Sequence, residues 1–262
     1  MLRWAAMSSA ARAFARAHDQ ARVTRRARGV LVASAAITLL LYAVPFGGLL
    51  IYPLLLLSTL AHELGHGLAA LATGGSFQAF YLWPDGSGMA VHAGPEGPAL
   101  QAIVAAGGLI GPAVVAGVCF ALARRERVAR LVLGLLGLGF LAAVALVVEN
   151  AFGFWYIGGV GLLLLGLALR ARGQVAQTAL VFLAVQLALS VFSRADYLFT
   201  ASAQTTAGVM PSDSAHIAAA LGGSYMLWGA VCGLFSVLVL VLGLWLFTRG
   251  ESRVSMASLR RR

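Results

Sequence analysis

Residues 50–72 read LIYPLLLLSTLAHELGHGLAALA, and this stretch decides the fold. It is long and apolar enough to cross a bilayer, for which about 20 residues suffice. Yet His62, Glu63 and His66 stand inside it as H-E-x-x-H. Ionisable groups in hydrocarbon cost several kcal/mol unless paired, so their presence in a membrane helix points to function. Residues four apart on a helix differ by about 40°, so both imidazoles leave one face and can ligate one zinc ion. Glu63, next to His62, reaches a water held there and acts as general base on it. The competing reading is a buried His/Glu hydrogen-bond network that only fixes helix packing.

Composition agrees with a membrane setting. Of 262 residues, 60% are apolar and 11% charged, against about 25% charged in soluble domains. Mean hydropathy is +0.88. All 19 basic residues are arginine, set against nine acids for a net charge of +10. The arginines flank apolar runs, which suits contact with a lipid bilayer and argues against a nucleic-acid partner. Cys119 and Cys232 both lie in apolar runs, which excludes a disulfide framework or a cysteine-based zinc site.

Working outward, residues 1–29 form a basic N-terminal tail with seven arginines, and 249–262 form a basic C-terminal tail. Between them, 30–248 is expected to be one membrane-embedded, all-α polytopic domain of six or seven transmembrane helices. Apolar runs place these near 30–47, 50–72, 100–123, 131–148, 151–169, 175–199 and 224–248. Glu149 and Asn150 alone separate the fourth from the fifth, which makes them two spans with a tight turn or one interrupted element. Seven spans put basic residues on both sides, in conflict with the positive-inside rule. Aromatic-rich Phe77–Trp83, the turn sequence Pro84-Asp85-Gly86-Ser87-Gly88 and Met89–Ala93 predict a short β-hairpin at the membrane surface near 77–93. Its edge could receive an extended peptide.

The stretch from about Leu55 to Pro112 resembles the site-2 protease family of intramembrane zinc metalloproteases, in its compact bacterial branch without a PDZ domain. The resemblance rests on His62-Glu63-Leu64-Gly65-His66, Gly74-Gly75, Pro84-Asp85-Gly86-Ser87-Gly88 and Gly107-Gly108-x-x-Gly111-Pro112. It implies a multi-pass protein of the bacterial plasma membrane that uses Zn2+ to cleave a transmembrane protein or peptide in regulated intramembrane proteolysis. It also implies His62 and His66 as ligands, Glu63 as base and an aspartate third ligand from a later Asn-x-x-Pro-x-x-x-x-Asp-Gly-like segment. Here the chain departs from the pattern. Asn150-Ala151-Phe152-Gly153 resembles the start of that segment, but Gly158-Gly159 stands where Asp-Gly is expected.

The expected replacement is Asp196, near the end of the sixth span, where zinc would partner an otherwise costly carboxylate. An interfacial salt bridge to Arg194 competes with that role, and Glu149 is the alternative ligand. Asn150 is a candidate hydrogen-bond donor to substrate or oxyanion, or else a helix cap. His18, His92 and His216 read as surface residues, and Asp213 as the N-cap of a helix over 215–221. The leading function is an intramembrane zinc metalloendopeptidase. The alternative, kept open by the missing Asp-Gly, is a catalytically inactive protease-like regulator or scaffold.

Overall fold

The computed structural model describes residues 29–41, 44, 47–93, 97–193, 197–205 and 208–248. Both tails lie outside these residues, as does Asp196. The helices are α1 (Gly29–Leu41), α2 (Gly47–Ala72), α3 (Pro98–Leu122), α4 (Glu126–Leu146), α5 (Ala151–Arg170), α6 (Gly173–Ser193), α7 (Asp213–Leu221) and α8 (Tyr225–Thr248). The strands are β1 (Ser76–Leu82), β2 (Gly88–Ala93), β3 (Ser202–Thr205) and β4 (Gly208–Pro211), in two antiparallel hairpins.

Six helices, α2 to α6 and α8, are long and apolar enough to cross a membrane. The first expected span appears as α1, whose 13 described residues reach about 20 Å, short of the ~30 Å of hydrocarbon. It docks on α6 through polar groups: Gln186 Nε2 donates to Thr38 Oγ1 at 2.9 Å, with Ser34 and Thr38 buried. The fourth and fifth expected spans are two helices joined by a short connector, 147–150, not one interrupted element.

Burial separates a centre from a rim. The apolar windows of α3 and α6 are 56% buried, against 17%, 22% and 28% for α4, α5 and α8. The rim helices turn Leu131, Leu135, Leu162, Trp155, Leu234 and Leu238 outward, as lipid-facing surfaces do. Six consecutive crossings leave Arg124, Arg125, Arg127, Arg130, Arg170 and Arg172, every arginine among the described residues, at one end of the bundle. The described parts of the connections at the other end carry none.

The β1–β2 hairpin forms where expected, and it packs along α2. Gly74, at φ 86°, ends α2 with the Gly75 N–H donating to Ala70 O, and the chain then folds back along α2. The tip closes as a turn with Pro84 and Asp85 at its corners and Gly86 at φ 88°, a left-handed position suited to glycine. That tip rests on the first half of α2: Tyr52 donates to Pro84 O at 2.6 Å and Thr59 Oγ1 to Gly86 O at 2.7 Å. Phe80 and Leu82 are fully buried in the main core beside Leu56 and Leu60.

The outer edge of β1 is not open. Phe80 N donates to Val147 O at 2.6 Å and Glu149 N to Phe80 O at 3.1 Å, so the α4–α5 connector serves as a short parallel neighbour.

Candidate metal centre

Helix α2 carries the histidine half of the site, and its glycine contacts with α3 set the spacing. A Cβ on Gly65 or Gly107 would run into the backbone of the facing helix, and one on Gly108 would overlap the His66 imidazole. Gly107-Gly108-x-x-Gly111 is therefore the groove into which the motif packs, and Gly111 approaches Ala61 and Gly65.

The close approach also orients His66. Its Nδ1 lies 2.9 Å from Val104 O on α3, and a carbonyl can only accept, so Nδ1 donates. In the neutral ring that leaves the lone pair on Nε2, which lies 3.2 Å from His62 Nε2.

The carboxylate meeting this pair is Asp213. Its Oδ2 lies 3.1 Å from His62 Nε2 and 3.3 Å from His66 Nε2. Apart from those nitrogens, the buried Oδ2 has no hydrogen-bond partner among the described residues. Burial by itself would raise the Asp213 pKa, but the two imidazoles outweigh it and hold the carboxyl well below the usual carboxylate range. Three donor atoms of zinc-ligand type thus converge. Ligands arranged tetrahedrally around zinc at about 2.0–2.1 Å stand ~3.3 Å apart, so the observed triangle fits that ion.

Asp213 corrects its own N-cap assignment. The cap is Ser212, whose Oγ accepts from Ala215 N at 3.2 Å and donates to Thr200 O at 2.6 Å. Asp213 occupies the first turn of α7, where the helix dipole favours negative charge. Ser212 and Ser214 are fully buried on either side of it.

Other expected site residues fall elsewhere. Asp196, expected as third ligand, lies outside the described residues. Glu149 sits exposed on the α4–α5 connector and does not join the cluster. Asn150 makes no cap bond. Its Nδ2 donates to Leu82 O at 2.6 Å and its Oδ1 accepts from Leu82 N at 3.2 Å, so its amide is bound to β1 and not held free for a substrate.

Glu63 has its own fixed contact: Oε2 accepts from Ala90 N on β2 at 2.8 Å. His92, read from the sequence as a surface residue, stacks on His66 with ring centroids 6.4 Å apart. Burial, then the neighbouring His66, lower its pKa. A cavity opens beside His62 between α2, α3 and α6, lined by Ser58, Leu109, Pro112, Ser190, Val191 and Leu198. Asp213 carried one overlooked signal: Pro211-Ser212-Asp213-Ser214 is a polar cluster at the head of a helix too short to span, between two that can.

The family model described as Peptidase M50B-like matches residues 31–243. No curated protein and no solved structure matches the chain.

Proposed function

The chain belongs to the Peptidase M50B-like family of site-2 protease-like metallopeptidases, and on that premise we propose that it is an active intramembrane zinc endopeptidase. The convergence of His62 Nε2, His66 Nε2 and Asp213 Oδ2 within 3.1–3.3 Å carries the reading. These residues would hold the ion, with Asp213 as the third ligand in place of Asp196. When bound, zinc supplies Lewis acidity, making a water acidic near neutral pH and polarising the scissile carbonyl.

Glu63 does the proton work. Its carboxylate takes a proton from the attacking water and returns it to the leaving nitrogen as the C–N bond breaks. The Ala90 N–H holds Oε2 and limits the rotamers from which the carboxylate acts. Gly88 makes this approach possible, since a Cβ there would stand 2.6 Å from Thr59 Cγ2 and 2.8 Å from Glu63 Cγ.

The substrate is a transmembrane protein or peptide whose helix unwinds locally, because a hydrogen-bonded helix hides its carbonyls from attack. The cavity beside His62 is lined mainly by apolar side chains, the kind of surface such a segment would meet.

The test is metal content and cleavage measured together on purified full-length protein. About one zinc per chain is expected, together with cleavage of a transmembrane peptide in liposomes. Glu63→Gln should keep the metal and lose cleavage. A metal-replete preparation without zinc would refute the enzyme reading and favour a regulator or scaffold. Equal activity in Glu63→Gln would refute the assigned base.

A further inference from the structure

Strand β2 presents one face to α2 over three alternate positions, Gly88, Ala90 and His92. Side chains two residues apart on a strand share a face. Gly88 has no room for a Cβ against Thr59 and Glu63, and Ala90 is the residue whose N–H binds Glu63. Two small residues therefore let the strand close on α2, and the third delivers an imidazole beside His66, with the rings 25° from parallel. His92 stands outside the His62/His66/Asp213 triangle. Its Nδ1 is nevertheless buried and has no hydrogen-bond partner among the described residues. A buried ring nitrogen without a partner among the described residues is unusual, and beside a hydrolytic motif it suits a partner that arrives with substrate.

We propose that His92 is a further catalytic residue, whose Nδ1–H donates a hydrogen bond to the scissile carbonyl oxygen as that oxygen becomes negatively charged. The inference rests on the peptidase reading above. As the water oxygen bonds to the carbonyl carbon, the C=O π pair moves onto the oxygen that His92 faces. When the C–N bond breaks, that pair re-forms the carbonyl and the nitrogen takes the proton held by Glu63. His92 transfers no proton and stabilises only the tetrahedral stage, which is where a preplaced donor contributes most. The same strand then holds both sides of the reaction, orienting the base through Ala90 and the oxyanion donor through His92.

The test uses the full-length protein in liposomes and two probes, a leucine-rich transmembrane peptide and its phosphinate isostere, which mimics the tetrahedral stage. His92→Ala is expected to keep its zinc by elemental analysis. It should bind the phosphinate about 100-fold more weakly, the order seen when one oxyanion donor is removed. Binding of the uncleaved peptide, measured in the Glu63→Gln background, should change by less than about threefold, since ground-state binding does not use the donor. His92→Gln, which retains an N–H donor, should recover part of the phosphinate affinity.

Equal weakening toward both probes would make His92 a packing residue and overturn the proposal. Loss of zinc in both variants would make it a ligand or a structural support, with the same result. Unchanged phosphinate affinity would also overturn it. A native protein without zinc or cleavage would instead refute the peptidase reading, so the two failures are distinguishable.

Discussion

The candidate metal centre has two halves built on different principles. The α2 half is local: His62 and His66 are one helical turn apart, and helix geometry alone puts them on one face. The α7 half is not: Asp213 comes from a nine-residue helix between the fifth and sixth crossing helices, and Ser212 holds its approach through bonds to Thr200 O and Ala215 N. The first half is repeated by any sequence with the right period in a helix. The second exists only because α7 packs against α3 and α8, bringing its first turn to the face that α2 shows.

Ligand exchange would break this comparison most directly. Asp213→Ala, like His66→Ala, should weaken zinc binding by more than the ~10–100-fold typical of losing a supporting contact, as read by competition with a chelator. Asp196→Asn should retain zinc. The opposite pair of results would return the third ligand to Asp196 and dissolve the α7 half.

Gly108→Ala probes the packing behind the local half. Its methyl group would meet the His66 ring. Zinc affinity should fall about 10–100-fold although no ligand is touched. Unchanged affinity would mean that α2 and α3 can separate without cost.

Smaller effects are expected where supports are shared. Ser212→Ala removes the cap and the tie to Thr200 O. It should destabilise the protein by about 1–2 kcal/mol in thermal unfolding and weaken zinc about tenfold. Asn150→Ala frees Leu82 N and O on β1 and should cost about 1–3 kcal/mol. Cleavage should fall with it while zinc content stays constant, because the hairpin that orients Glu63 loosens but no ligand moves. The weakest signal is topological. With Cys119 and Cys232 replaced by alanine, single cysteines at Arg125 and Val209 should react with an impermeant reagent from opposite sides of the membrane. Labelling from the same side would contradict six crossings.

Much of this architecture was legible in the chain. Five expected spans, those near 50–72, 100–123, 131–148, 151–169 and 224–248, begin within a few residues of α2, α3, α4, α5 and α8. Hydrocarbon thickness imposes a length on each apolar run, so hydropathy reads them directly. The span near 175–199 overran, since α6 ends at Ser193 and is followed by the short 3-10 turn Tyr197–Phe199. Apolar Tyr197-Leu198-Phe199 follow shortly after in the sequence, and hydropathy does not register where a helix stops. The β3–β4 hairpin was missed for a related reason. Its strands are four residues each, and β4 is exposed, so no buried alternation marks it in the sequence.

The glycines of Gly107-Gly108-x-x-Gly111 were visible as small residues, but their partner was not. Only the approach of α3 to α2 assigns Gly108 to the His66 ring. Asn150 shows the same gap: its place before a helix was correct, yet its amide turned to Leu82 because β1 had folded back beside it.

By itself, then, the sequence determined a multi-pass helical protein and one contiguous half-site, His62-Glu63-x-x-His66, because span length and helical period are properties of neighbouring residues. Tertiary structure alone decided that Asp213 meets the histidines, that Ala90 N–H binds Glu63 and that His92 stacks on His66. Those contacts join segments distant in sequence, and their formation depends on how helices and hairpin pack. No local pattern encodes that packing.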